Sequence, residues 1–203
     1  MKKISVMVAC IGMILLFSAN SFSEMVIKTT DGNTYNLPID RQNIQSIEFT
    51  GEGAAGGEVS NLAQGKTAQQ SSVGYGGNPM RAVDGNTNGN YYGHSVTHTA
   101  SQNQAWWQVD LGKKSQIKSI RVWNRTDCCP ERLSKFYVLV SDSPMTSNNL
   151  QAVLSQPGVW NKYFEGAAAT PSEISVNRSG QYIRIQLSGT NYLSLAEVEV
   201  LGF

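Results

Sequence analysis

The chain has 203 residues, with 16 Lys+Arg against 15 Asp+Glu, so its formal charge is +1 and only 15% of its positions are charged. That balance speaks against a nucleic-acid partner, because phosphate binding needs a basic surplus or stripe. With 40% apolar residues, the chain can bury enough surface to offset its ordering entropy, which speaks against disorder.

At the start, Lys2 and Lys3 precede an apolar run from Ile4 to Phe17, interrupted only by Ser5 and Gly12, and the small or polar residues Ser18 to Ser21 follow. Residues 1–23 therefore read as a secretory signal peptide of bacterial style, the run being shorter than the roughly 20 apolar residues of a membrane helix. Export to the periplasm, the cell surface or the medium is expected, with no membrane insertion. Cleavage removes Lys2, Lys3 and Cys10 and leaves 14 basic and 15 acidic residues.

Residues 24–50 contain VIKTT, a DGN turn, TYNL and then IQSIEF, which predict a short β-hairpin extension and a third strand. So short a segment cannot form a core of its own. GEGAAGGE, residues 51–58, is a Gly/Ala linker by composition. Residues 59–203 then read as one unit without internal repeats.

Strand signals dominate that unit. AWWQVDLG puts Trp107, Val109 and Leu111 on one face, FYVLV groups Phe136, Val138 and Val140, and YIRIQL groups Ile183, Ile185 and Leu187. IKSIRVW and YLSLAEVEVLGF are two further β-rich runs. Turn residues cluster between them and no long segment has a helical period, so an all-β fold is predicted, a jelly-roll β-sandwich or barrel.

Candidate chemistry is concentrated in loops. NRTDCCPER, from Asn124 to Arg132, follows a strand directly. Asp127 can fix Arg125, Arg132 or both, leaving guanidinium N–H groups to face an oxygen-rich ligand such as a sugar or phosphate; a surface ion-pair cluster is the plainer reading. Adjacent Cys128 and Cys129 are either a strained vicinal disulfide that closes almost no loop, two free thiols, or half of an intermolecular link. His94 and His98 lack the surrounding ligands of a zinc site. AVDGNTNGN offers the oxygens of Asp84, Asn86 and Asn88 around Gly85, suited either to calcium or simply to a turn. No nucleophile elbow, phosphate loop or paired-acid signature is found, so the chain is read as no enzyme.

NLAQGKTAQQSS, AVDGN, WWQVDLG and EVEVLG together resemble the discoidin-like carbohydrate-binding superfamily. His98, followed by Arg125-Thr-Asp127, the cysteine doublet and Arg132, resembles the narrower F-type lectin (fucolectin) family, over Asn61 to Phe203. The resemblance implies a non-catalytic lectin for L-fucose on fucosylated glycans. It implies that His98, Arg125 and Arg132 hold the sugar and that Asp127 orients the arginines. A Cys128–Cys129 disulfide would pack against the ring edge, with Tyr91 and Tyr92 near the C6 methyl. It also implies a structural Ca2+ held by Asp84, Asn86, Ser95 and Glu197, with backbone oxygens of Arg81 and Ala196. Many relatives carry a disulfide where this chain has Val96 and Ala196. Still open are a discoidin-like module for galactose or another glycan, an accessory that targets an enzyme to glycans, and a homo-oligomer. The Asn124 and Asn177 sequons are expected to be coincidental.

Overall fold

The computed structural model describes residues 58–203 continuously, preceded by strands at 5–6, 14–16, 23–28, 34–39 and 48–49. The chain divides into two compact units, Met1–Gly57 and Glu58–Phe203. In the first, Ser23–Lys28 pairs antiparallel with Thr34–Ile39, and Ile14–Leu16, from the apolar run, pairs along the other edge of Ser23–Lys28. Glu48–Phe49 runs parallel to Ser5–Val6. The DGN turn at 31–33, residues 17–22 and linker residues 51–57 lie outside the described residues. Among the described residues, no helix is long and apolar enough to cross a membrane.

The second unit contains β1 (Ser60–Asn61), β2 (Thr67–Gln70), β3 (Gln102–Asn103), β4 (Trp106–Asn124), β5 (Phe136–Ser141), β6 (Trp160–Phe164), β7 (Ser172–Leu187), β8 (Thr190–Asn191) and β9 (Leu195–Gly202). Its one short α-helix, α1, spans Leu150–Leu154. The two long strands serve two layers. The first half of β4 lies between β2 and the second half of β7, to which β5 and then β6 are added. The second half of β4 lies between the first half of β7 and β9, with β1 at the edge. The register shifts near Gly180, and Gly112 has φ +82°, so both long strands turn between the layers there. This is the jelly-roll sandwich that the alternating pattern predicts.

The faces that the sequence assigns to the interior are inside. Trp107, Val109, Phe136, Val138, Val140, Ile183 and Ile185 are fully buried, and they share one core with Ile117, Ile120, Val122, Val198 and Val200 from the second layer. Burying each such side chain contributes about 1.5–3 kcal/mol before entropy is counted. Alternation fails on the other face of β5 and β7. Leu139 is buried with Met145 and Val153 in a second cluster beneath α1, and Arg184 is only 1% exposed.

Arg184 has no carboxylate partner among the described residues. Its Nε donates to Gln108 Oε1 at 2.9 Å, and its terminal nitrogens donate to the carbonyls of Ser147, at 2.7 Å, and Met145. Burial lowers its pKa to about 10. Substitution Arg184→Leu would strand those carbonyls, and unsatisfied buried acceptors cost about 1–3 kcal/mol each. The variant is therefore expected to lose roughly 2–4 kcal/mol in urea unfolding, and an unchanged midpoint would contradict this role.

Candidate functional site

The loops at the β4 terminus and around His98 meet in a cavity of about 230 Å3 lined by Tyr75, Tyr91, Tyr92, His98, Arg125, Arg132 and Tyr192. His98 is placed by its neighbours. Thr97 and Thr99 flank it as alternate residues of an extended segment, and each exchanges hydrogen bonds with the chain entering β9. Thr97 N donates to Leu195 O at 2.8 Å and Thr99 N to Leu193 O at 3.0 Å, while the two threonine hydroxyls accept from Leu195 N and Leu193 N. The intervening His98 therefore points the opposite way, into the cavity. Gly77 packs so closely on the His98 backbone that a Cβ there would collide with it, which is why this loop needs a residue without a side chain.

His98 Nδ1 lies 2.7 Å from Thr99 O. A carbonyl can only accept, so Nδ1 carries the proton and Nε2 is left as a bare acceptor. The ring is 3% exposed and stands edge-on to Tyr75, Tyr91 and Tyr192, with centroids 5.0, 5.8 and 5.3 Å away. Burial, and after it the charges of Arg125 and Arg132, lower its pKa despite the Thr99 bond, so it is neutral near pH 7. A neutral acceptor thus sits among cationic donors.

The arginines differ in their support. Arg125 and Asp127 form a two-pronged pair, with Nε to Oδ1 and a terminal nitrogen to Oδ2 both at 2.8 Å and side chains 10% and 14% exposed. The guanidinium holds the Asp127 carboxyl down to about 2, so the pair persists through the ordinary pH range. Tyr91 N donates to the same carboxylate at 3.0 Å, and the Arg125 guanidinium lies 4.7 Å from the Tyr91 ring centre. Arg132 stacks 4.7 Å from the Tyr192 ring centre and makes no ion pair among the described residues, so its planar donors remain available.

The turn chemistry follows from Cys129, whose backbone is left-handed at φ +56°, and Pro130, whose fixed φ starts the short 3-10 turn Pro130–Arg132. The sulfurs of Cys128 and Cys129 are in mutual contact. Both residues are half-buried in this loop, and like Asp127 they lie outside the residues lining the cavity. Tyr92 is 81% exposed at the rim.

The AVDGN segment is a ladder of side-chain turns. Oδ1 of Asp84, Asn86, Asn88 and Asn90 each accepts from the backbone N two residues on, at 2.8–3.1 Å. Gly85 N donates to Glu197 Oε1 at 3.1 Å, tying the turn to β9. Glu197 is fully buried and its Oε2 has no hydrogen-bond partner among the described residues. Burial, with Asp84 nearby, pushes its carboxyl up to about 7. Ser95 is buried, its Oγ donating to Asn88 O, and Arg81 donates to Val96 O at 3.1 Å. Val96 and Ala196 are both fully buried. No group of three or more His, Cys, Asp or Glu side chains suited to a metal occurs among the described residues, and His94 is exposed.

Tyr75 and Tyr192 are the lining residues that sequence reasoning missed. Asn124 is 2% exposed, its amide donating to Pro130 O and Ala168 O, so that sequon is closed to glycosylation.

A jelly roll whose loops present two arginines and a neutral histidine in a tyrosine-walled cavity defines a carbohydrate-binding module of the discoidin-like class. Residues 81–185 match the family model described as NedA-like, galactose-binding domain. Fucolectin-5 of Anguilla japonica is 30% identical over 179 residues, covering 88% of this chain and 87% of that protein. The chain therefore belongs to the fucolectin, or F-type lectin, family. A Streptococcus pneumoniae fucose binding module, SpX-3, is 35% identical with a TM-score of 0.63, over 71% of this chain and 98% of that one. The lectin domain of lectinolysin, solved with Lewis B antigen, is 38% identical with a TM-score of 0.61, over 69% of this chain and 94% of that one.

Proposed function

We propose that this protein is an exported, non-catalytic lectin that binds L-fucose at the ends of fucosylated glycans. The observation that carries the reading is the convergence of His98, Arg125 and Arg132 on one small cavity. His98 Nε2 accepts a sugar O–H, and the two guanidiniums donate to hydroxyls and the ring oxygen; Asp127 keeps Arg125 in register. Tyr91 and Tyr92 face the C6 methyl, and a Cys128–Cys129 disulfide packs against the ring edge. An apolar wall rejects the extra C6 hydroxyl of L-galactose, of which L-fucose is the 6-deoxy form, only modestly.

Calcium is the second part of the reading. A fully buried carboxylate oxygen without a partner, held near Asp84, fits a hard dication. Asp84, Asn86, Ser95 and Glu197 would hold it, with carbonyls of Arg81 and Ala196. Bound there, calcium supplies positive charge that fixes the loop leading to His98, with no contact to sugar.

A glycan array probed with the mature chain, with and without calcium, tests the function. Signals confined to fucose-terminated glycans and erased by free L-fucose are expected. Equal signals on galactose-terminated glycans would favour the galactose-module alternative, and none on fucosylated glycans would refute the reading. Because the compact second unit begins at Glu58, a chain starting at Val59 is expected to keep the same monovalent fucose affinity in calorimetry. Any loss on truncation should be one of avidity, and a large monovalent loss would contradict an independent domain.

A further inference from the structure

A second cavity on this unit, of about 560 Å3, is left unused by the fucose reading, shares no lining residue with the first and is more than twice its volume. Its floor is the outer face of the first layer. Thr67 pairs with Asp110 and Gln69 with Gln108 across β2 and β4, and Tyr182 of β7 pairs with Asp110 from the other side. These positions alternate with Ala68, Val109 and Ile183, which point into the core, so period-two geometry turns all of them outward.

What they display is unusual for an outer sheet face. Trp106 and Tyr182 offer ring surface, while Gln69, Gln108 and Asp110 offer amide and carboxylate groups. Asp110 makes no ion pair among the described residues; its Oδ1 accepts from Gly112 N at 2.7 Å and Gln181 Nε2 at 2.9 Å. Gln69's amide has no side-chain hydrogen bond among the described residues.

The platform is fixed before any ligand arrives. Trp106 Nε1 donates to Asn148 Oδ1 at 2.8 Å, and the Arg184 guanidinium packs 4.4 Å from the indole centre. The same guanidinium grips the carbonyls of Met145 and Ser147, holding the 144–146 segment up as one wall of the groove. Arg184 is buried with no carboxylate partner among the described residues, and its bonds to these carbonyls are what build the wall. Asp110 is the one charged residue of the lining, and Arg184, opposite Gln108, lies one pair along the same face behind the wall. That combination suits a neutral polyhydroxylated chain, whose C–H faces pack on aromatic rings and whose hydroxyls bond to amides and a carboxylate. It does not suit an acidic polymer.

We propose that this groove is a second carbohydrate site, taking at least two linked neutral pyranose units and needing no fucose. Calorimetric titration of the mature protein with cellohexaose, mannohexaose and N-acetylchitohexaose, all in saturating L-fucose, tests it. At least one is expected to bind with a dissociation constant of about 1 mM or tighter, with unchanged affinity when fucose is omitted. Gln69→Ala, an exposed position that leaves the core intact, and Tyr182→Ala should each weaken it about tenfold or more, whereas Arg132→Ala should not. Absence of binding by all three hexasaccharides, competition by fucose, or indifference to Gln69→Ala would overturn the proposal. L-fucose titrated alone into the same protein reads the first site separately, so failure of the first site and of the second are told apart.

Discussion

Arg132→Ala is expected to abolish measurable monovalent binding of L-fucose while leaving the melting temperature almost unchanged. Arg132 ends a short loop turn, is half-buried, and stacks on Tyr192 without any ion pair among the described residues. The fold therefore loses little, within about 0.5 kcal/mol. Binding loses charge-assisted hydrogen bonds of roughly 1.5–3 kcal/mol each, so two such bonds lower affinity by at least about a hundredfold. Arg125→Ala should differ in kind. It removes the partner of Asp127 and the ring contact with Tyr91, so it should lower both affinity and stability. Calorimetry and thermal unfolding on the two variants separate these outcomes. Retained fucose affinity in Arg132→Ala would remove it from the site.

Chelation carries the second large expected effect. A ligand that binds only the folded state stabilises it by about 2.7 kcal/mol at a hundredfold excess over its dissociation constant. For a domain of about 150 residues this corresponds to a fall of roughly 5–10 °C on adding EDTA. The pH dependence gives a sharper readout. Without a cation, burial raises the Glu197 carboxyl from 4.5 to about 7, so the folded state binds more protons than the unfolded one between those values. Stability of the metal-free protein should then fall as pH rises through that window, and a dication compensating the carboxylate should remove the slope. His98, whose lowered pKa makes stability rise with pH below about 6.5, contributes equally with and without metal and cancels in the difference. An EDTA-insensitive midpoint at pH 7 would contradict the calcium assignment.

Much of the fold was legible because period-two burial is a local signal. Trp107, Val109 and Leu111, or Ile183, Ile185 and Leu187, alternate with polar neighbours and land in the core. The outer face of the same strands was not legible. Arg184 and Gln186 alternate with Ile183, Ile185 and Leu187, yet they too are buried, because the carbonyls of Met145, Ser147 and Asn148 accept from them, a tertiary contact that no local pattern shows. Likewise Leu139 sits on the face opposite Val138 and Val140, and its burial depends on Met145 and Val153.

The site divides along similar lines. Arg125 and Arg132 are close in sequence and belong to a recognisable motif, so their meeting with His98 was anticipated. Tyr75 and Tyr192 reach the same cavity from separate loops, and isolated tyrosines in Gly- and Asn-rich stretches carry no spacing signal. Tyr75 stands between Gly74 and Gly76 and is 74% exposed, an exposure that only the structure reveals. The Glu197 to Gly85 link spans most of the domain in sequence, and no local pattern signals it.

The central claim is that the His98, Arg125 and Arg132 cavity is a fucose site. Its most direct test is a calorimetric titration of the mature protein with L-fucose in calcium, run in parallel with D-galactose. One fucose per chain at this cavity, bound about tenfold or more tighter than galactose, is the expected result. No heat with fucose, or galactose bound as tightly, would contradict it.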